Sequence, residues 1–217
     1  MPRRASARSV LSTAGALEPE VTTFFLIRHA AYGSMEERLV GRTPHLSLDA
    51  RGIAQAERLA TRLASEGLNA VHTSPRERTI ETATPIAAHA GVPLETAAAL
   101  DEIDVGEWTG LTFAELAGDL RWRAWNESRS GARAPGGESM AEVQARAVAH
   151  VEATRVAHPE GRVALVSHAD VLKAVILHYL GLSLDAIHRI DIAPAGISRL
   201  VVRSWGGKLV SLNESVA

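Results

Sequence analysis

The sequence predicts an α/β fold on a mostly parallel sheet, from two apolar segments that each stop at a histidine and from amphipathic helices that alternate with short strands. Residues Thr22 to Ile27 (TTFFLI) are β-branched and aromatic with no charge before Arg28, which suits a strand buried on both faces and ending at Arg28 and His29. From Asp49, an N-cap residue, Ile53, Ala56, Leu59, Ala60 and Leu63 recur at helical spacing until Gly67, predicting a core-facing helix. A short strand over Ala70 to Thr73 and a helix from Arg76 to His89, closed by Gly91, complete a β-α-β-α order.

The middle segment, Leu100 to Gly137, has no clear period. Trp108, Trp122 and Trp125 lie among charges, and only Thr112 to Leu116 suggests a helix start, so a lid or insertion over the sheet edge is expected. Ser139 with Glu142 forms a capping box before a helix that carries Val143, Ala147, Val151 and Thr154 on one face. Val163 to Ser167 (VALVS) reads as a central strand that stops at His168. A helix from Asp170 to Leu180 follows, with Gly181 behind it. Ile197 to Arg203 and Lys208 to Leu212 flank Gly206-Gly207 as a hairpin.

A chain of 217 residues can bury one substantial core, which gives a single domain over residues 21–217 after a flexible extension at 1–20. Lys and Arg total 23 against 25 acidic residues, so no global field attracts nucleic acid or an anionic membrane, and any anion site must be local. Cysteine is absent, which removes disulfides, thiolate metal sites and cysteine nucleophiles. No apolar run is long enough for a membrane span and no secretory signal pattern opens the chain, so a cytoplasmic location is the expectation.

Ligands of open α/β sheets collect beyond the carboxyl ends of the strands, where this reading places Arg28-His29, Ser74 and His168. In a chain with nine histidines one Arg-His pair is more often structural than catalytic. Several segments taken together say more. FLIRHA at Phe25 to Ala30, LDARGIAQA at Leu48 to Ala56, SPRERTIETA at Ser74 to Ala83, LDEIDVGEWTG at Leu100 to Gly110, PGGES at Pro135 to Ser139 and VSHADVLKAVI at Val166 to Ile176 occur in that order. Over residues 23 to 203 the chain resembles the histidine phosphatase superfamily, the phosphoglycerate mutase-like family.

The resemblance implies a three-layer α/β/α sandwich and a metal-independent phosphomonoesterase with no cofactor. His29 matches the nucleophile that carries the phosphoryl group, and it must be neutral on its attacking nitrogen. Arg28 and Arg78 match forked phosphate donors, and His168 a further donor. Glu102 matches the general acid, selected by the family register over Asp101, Asp104 and Glu107, which are read as solvated or structural. Gly41 and Arg42 fall where relatives wrap a loop over the phosphate, Gly41 offering its N–H and Arg42 its side chain, although an ordinary turn fits equally well. The tryptophans fit either a substrate cavity or, for at least two of them, a cover on the sheet.

The chain departs from the family at Ala30-Ala31-Tyr32, where Gly, then Glu or Gln, then Thr is usual, and at Ala169, where glycine often follows the histidine. None of these touches the reacting atoms, so altered substrate preference is expected. A phosphomutase shares every residue named but typically carries longer insertions. A silent phosphate-binding domain fits less well because nucleophile and acid are both present, and a metal held by His29, His168 and Glu102 would sit beside two arginines. The expected partner is a small phosphorylated substrate, with the apolar C-terminal hairpin a surface for a homodimer.

Overall fold

The computed structural model describes residues 21–33 and 37–216, so the extension expected over residues 1–20 lies outside the described residues. The chain runs through β1 (Thr22–Arg28), α1 (Ala50–Leu63), β2 (Ala70–Thr73), α2 (Glu77–Ala90), β3 (Leu94–Thr96), α3 (Phe113–Ala117), α4 (Leu120–Glu127), α5 (Met140–Ala157), β4 (Arg162–Ser167), α6 (Ala169–Tyr179), β5 (Ile197–Arg203) and β6 (Gly206–Glu214). The six strands form one sheet in the order β3-β2-β4-β1-β5-β6. Pairing is parallel from β3 through β2 and β4 to β1, and antiparallel from β1 through β5 to β6. The sheet is thus mixed, with the parallel part central to the site.

Alternation along β1 divides the core. Phe24 and Leu26 pack with Val143, Val151 and Leu172 on the side of α5 and α6, whereas Phe25 and Ile27 pack with Ala56, Leu59 and Ile86 on the side of α1 and α2. Helices on both faces give three layers, and the two-sided burial explains the unbroken apolar run of β1. Ile53 departs from its expected inward position: it is 57% exposed, in a groove with Ala56 and Pro85 between α1 and α2. The adjacent Gly52 turns inward instead.

A Cβ on Gly52 would stand 1.9 Å from the carbonyl oxygen of Ala31, the second residue after His29. Asp49 caps α1 by accepting from the Gly52 N–H at 2.7 Å, and its own N–H donates to Ala31 O at 3.2 Å. The start of α1 is therefore pressed against the segment that follows His29. Gly52→Ala is expected to cost about 1–3 kcal/mol through overpacking, read as a lower urea midpoint at unchanged slope.

The middle segment, expected as a lid or insertion with a helix start at Thr112 to Leu116, forms α3, α4 and short 3-10 turns. Thr112 and Glu115 make a reciprocal capping box that starts α3, and Asp119 caps α4. Trp108 and Trp125 are buried in the core beside Leu116 and Met140, and Trp122 packs at their margin. Two of the three tryptophans thus cover the sheet. Among the described residues no helix is long and apolar enough to cross a membrane.

Candidate active site

Three strand ends meet at one point. The His29 N–H donates to Ser167 O at 2.9 Å and the Ser74 N–H to Val166 O at 3.0 Å, so the first residues beyond β1 and β2 are pinned to the end of β4. His168 follows β4 directly and stands at the N-cap of α6. The rings of His29 and His168 lie 5.3 Å apart between centroids.

The Nδ1 of His29 lies 2.9 Å from the carbonyl oxygen of Ala30. A carbonyl can only accept, so Nδ1 carries the proton and Nε2 keeps its lone pair. Burial, then the charges of Arg78 and Arg28, push the imidazole down to about 3. The ring is therefore neutral across the physiological range.

Arg78 is fully buried, with Nη2 donating to Gly41 O at 3.0 Å and lying 3.3 Å from His168 Nδ1. Its Nε and Nη1, and the Nε of Arg28, are buried with no hydrogen-bond partner among the described residues. Arg28 Nη1 donates to Ile192 O at 2.6 Å. Buried guanidinium donors without acceptors are costly unless they serve a ligand, and an oxyanion is the ligand that suits them. His168 Nε2 lies 2.8 Å from Ser74 Oγ, and burial, then His29 and Arg78, hold its ring well below its usual value.

Glu102 Oε1 accepts from the Ile103 N–H at 2.9 Å, while Oε2 lies 3.4 Å from His168 Nδ1 and 3.8 Å from Arg78 Nη2. Burial dominates over the opposing Arg78 charge and raises its carboxyl to about 7, with the Asp170 charge adding to the rise. A carboxyl that is half protonated near neutrality can give a proton and take it back. Its backbone is fixed too, since Glu102 O accepts from Arg42 Nε at 2.8 Å and from Arg146 Nη2 at 3.2 Å.

Arg42 is held away from the cleft. It pairs with Glu138 at 2.8 Å and lies near Asp101 and Asp104, so its guanidinium braces the Glu102 loop rather than facing a phosphate. Gly41 does line the cleft, at φ 48°, and gives its carbonyl to Arg78. Asp101 is structural: Arg76 grips both its oxygens at 2.7 Å, and Oδ1 also accepts from the Glu102 N–H at 2.8 Å. Glu107 stays at the surface, paired with Arg121 at 3.0 Å.

The Glu138–Arg146–Arg42 brace was not foreseen, although Glu138 lies within the PGGES segment that carried the resemblance. Asp101→Ala is expected to cost about 1.5–3 kcal/mol, the range for hydrogen bonds to charged groups. Paired urea curves and steady-state rates should show kcat falling as well, because the Glu102 loop loses its anchor.

The cleft has a volume of about 310 Å³, and its lining includes Arg28, His29, Tyr32, Gly41 and Glu102 together with Phe113, Trp122, Asn126, Arg129 and Asp170. Tyr32, one of the departures from the family, packs 5.5 Å from the His29 ring and beneath the Arg78 guanidinium, also at 5.5 Å. Among the described residues no group of three or more His, Cys, Asp or Glu could hold a metal ion.

A mixed sheet, parallel at its centre, brings a neutral buried histidine, unpaired buried guanidinium donors and a raised carboxyl to one cluster of strand ends, an arrangement suited to phosphoryl transfer. The profile of the histidine phosphatase superfamily (branch 1) matches residues 24–215, and the chain belongs to that superfamily. It is 34% identical over 165 residues to phosphoserine phosphatase 1 of Hydrogenobacter thermophilus, covering 74% of this chain and 77% of that protein. It is 30% identical to the Proteus mirabilis protein named "Probable phosphoglycerate mutase GpmB", covering 81% and 83% of the two chains. The structure of Entamoeba histolytica phosphoserine phosphatase with phosphoglyceric acid superposes with a TM-score of 0.79 at 25% identity, over 89% of this chain and 98% of that one. Family membership together with phosphatase relatives supports a phosphomonoester hydrolase, and the mutase alternative is the weaker.

Proposed function

We propose that the protein hydrolyses small phosphorylated metabolites of the cytoplasm by passing the phosphoryl group through His29 Nε2. The observation that carries this reading is the His29 ring, whose Nδ1 is committed to Ala30 O, leaving a neutral Nε2 on a residue that lines the same cleft as Arg28 and Glu102. Nε2 attacks phosphorus as the bond to the leaving oxygen breaks, and the Glu102 proton passes to that oxygen. Arg28 and Arg78 hold the phosphoryl oxygens throughout. Glu102, now a carboxylate, takes a proton from water as its oxygen attacks phosphorus, the P–N bond breaks, and orthophosphate leaves. His168 lies where it can add a hydrogen bond to the same oxygens.

The test is p-nitrophenyl phosphate turnover from about pH 5 to about pH 8 with EDTA present. Turnover that persists in chelator supports the reading. Inertness towards this ester and a panel of natural phosphomonoesters, or a requirement for added metal, contradicts it. Phosphoserine enters the panel because the 34% identical relative is named for it.

A further inference from the structure

The two histidines at the strand ends carry their protons on opposite ring nitrogens. His29 is protonated at Nδ1, which lies 2.9 Å from Ala30 O. At His168 it is Nδ1 that lies 3.3 Å from Arg78 Nη2, and a guanidinium has donors but no acceptor, so this Nδ1 accepts. Burial, then His29 and the charge of Arg78, keep the His168 ring neutral. Its single proton is therefore on Nε2, 2.8 Å from Ser74 Oγ.

Nε2–H donates to Ser74 Oγ, which leaves the Ser74 hydroxyl proton for Asp101 Oδ1 at 3.5 Å. The hydrogen bonds thus run one way, from Arg78 through His168 and Ser74 to Asp101. Ser74 is fully buried, its N–H donating to Val166 O at 3.0 Å and its carbonyl accepting from Thr79 Oγ1 at 2.8 Å. Asp101 is fixed in turn by Arg76, which grips both its oxygens at 2.7 Å.

We infer that Ser74 is a positioning residue, whose hydroxyl holds the His168 proton on Nε2 and so keeps a lone pair on Nδ1, toward Arg78 and Glu102. The inference rests on the phosphatase reading for its effect on turnover, though not for the tautomer itself.

A hydroxyl suits this place because it accepts from one neighbour while donating to the next. The lone pair on Nδ1 has two consequences. It engages Arg78 Nη2, whose other partner is Gly41 O, so the guanidinium is held by one corner while Nε and Nη1 have no acceptor among the described residues. It also keeps a donor away from Glu102 Oε2, 3.4 Å from the same Nδ1. A proton on Nδ1 would be set against Arg78 and would favour the Glu102 carboxylate, removing the acid that the first step needs. Arg78, Arg28 and Asp170 act on Glu102 with either tautomer.

The test is nitrogen NMR of the isotope-labelled histidine rings at about pH 6, where the Glu102 carboxyl is mostly protonated, with the unaltered protein and Ser74→Ala. In the unaltered protein His168 is expected to be protonated at Nε2 alone and His29 at Nδ1 alone. In Ser74→Ala the His168 proton should populate Nδ1. There kcat/KM for an alkyl ester should fall about tenfold or more, and the limb near 7 should move to lower pH because a hydrogen bond to the carboxylate favours the charged form. A serine that only packed would move neither the tautomer nor the limb. A proton on Nδ1 of His168 in the unaltered protein, or a folded Ser74→Ala in which either tautomer or limb is unchanged, overturns the inference. If Ser74→Ala does not fold, the spectrum of the unaltered protein decides. Inertness towards every ester overturns the phosphatase reading, while the tautomer of His168 stands or falls on its own spectrum.

Discussion

His29→Ala is expected to reduce phosphomonoester turnover by about 10³-fold or more, because it deletes the atom to which phosphorus is transferred rather than weakening a contact around it. The pocket otherwise remains. Arg28 and Arg78 keep their anchors on Ile192 O and Gly41 O, so orthophosphate should still bind as a competitive ligand. Steady-state rates with the variant, together with phosphate binding followed by calorimetry, separate loss of the nucleophile from loss of the fold. Retained binding without turnover is the expected pair of results. Activity within tenfold of the unaltered chain would mean that another group accepts the phosphoryl.

Glu102→Gln is the second large effect, a fall in kcat of about 10²–10⁴-fold. Glutamine keeps the shape and can still accept from Ile103 N–H, but has no proton to give the leaving oxygen. The size should follow the leaving group: p-nitrophenolate departs with little help, whereas an alkoxide from an alkyl phosphate needs the proton, so alkyl esters suffer more. The pH profile carries the same information. Glu102 titrates near 7 and must be protonated for the first step, so kcat/KM for an alkyl ester should fall as pH rises through about 7. The lowered His29, titrating near 3, sets no limb in that range. In Glu102→Gln the limb near 7 should vanish, and a limb that survives would belong to another group.

The parts of this molecule that the sequence made legible are those where one local signal was enough. The run of β1 is apolar on both faces because helices cover both, and β4 reads the same way, so the places where each ends, at His29 and His168, were readable. The capping box at Ser139 and Glu142 started α5 where it begins. Strand β3 has only three residues, and two of them, Glu95 and Thr96, are exposed at the sheet edge, so it carries no apolar pattern to detect. Helix α4 buries little beyond Trp125, which leaves its stripe too narrow to show a period.

At the site the limit was of another kind. The residue types showed that Arg42 was available for an anion, but its partners come from residues far along the chain, Glu138 above all, and only the folded geometry shows that the guanidinium is already committed. The same holds for Arg129, whose pairing with Asp170 crosses from the segment after α4 to the first turn of α6. Long-range ion pairs between unremarkable charges leave no local pattern.

The most direct measurement is capture of the covalent intermediate. The protein is mixed with substrate, quenched in alkali, where a phosphorus–nitrogen bond on imidazole survives, and digested for mass spectrometry. The expected result is one phosphoryl group on the peptide containing His29, lost on acid treatment and missing from His29→Ala. A phosphoryl group on a different residue, or rapid turnover with no phosphorylated peptide at any time point, would contradict transfer through His29.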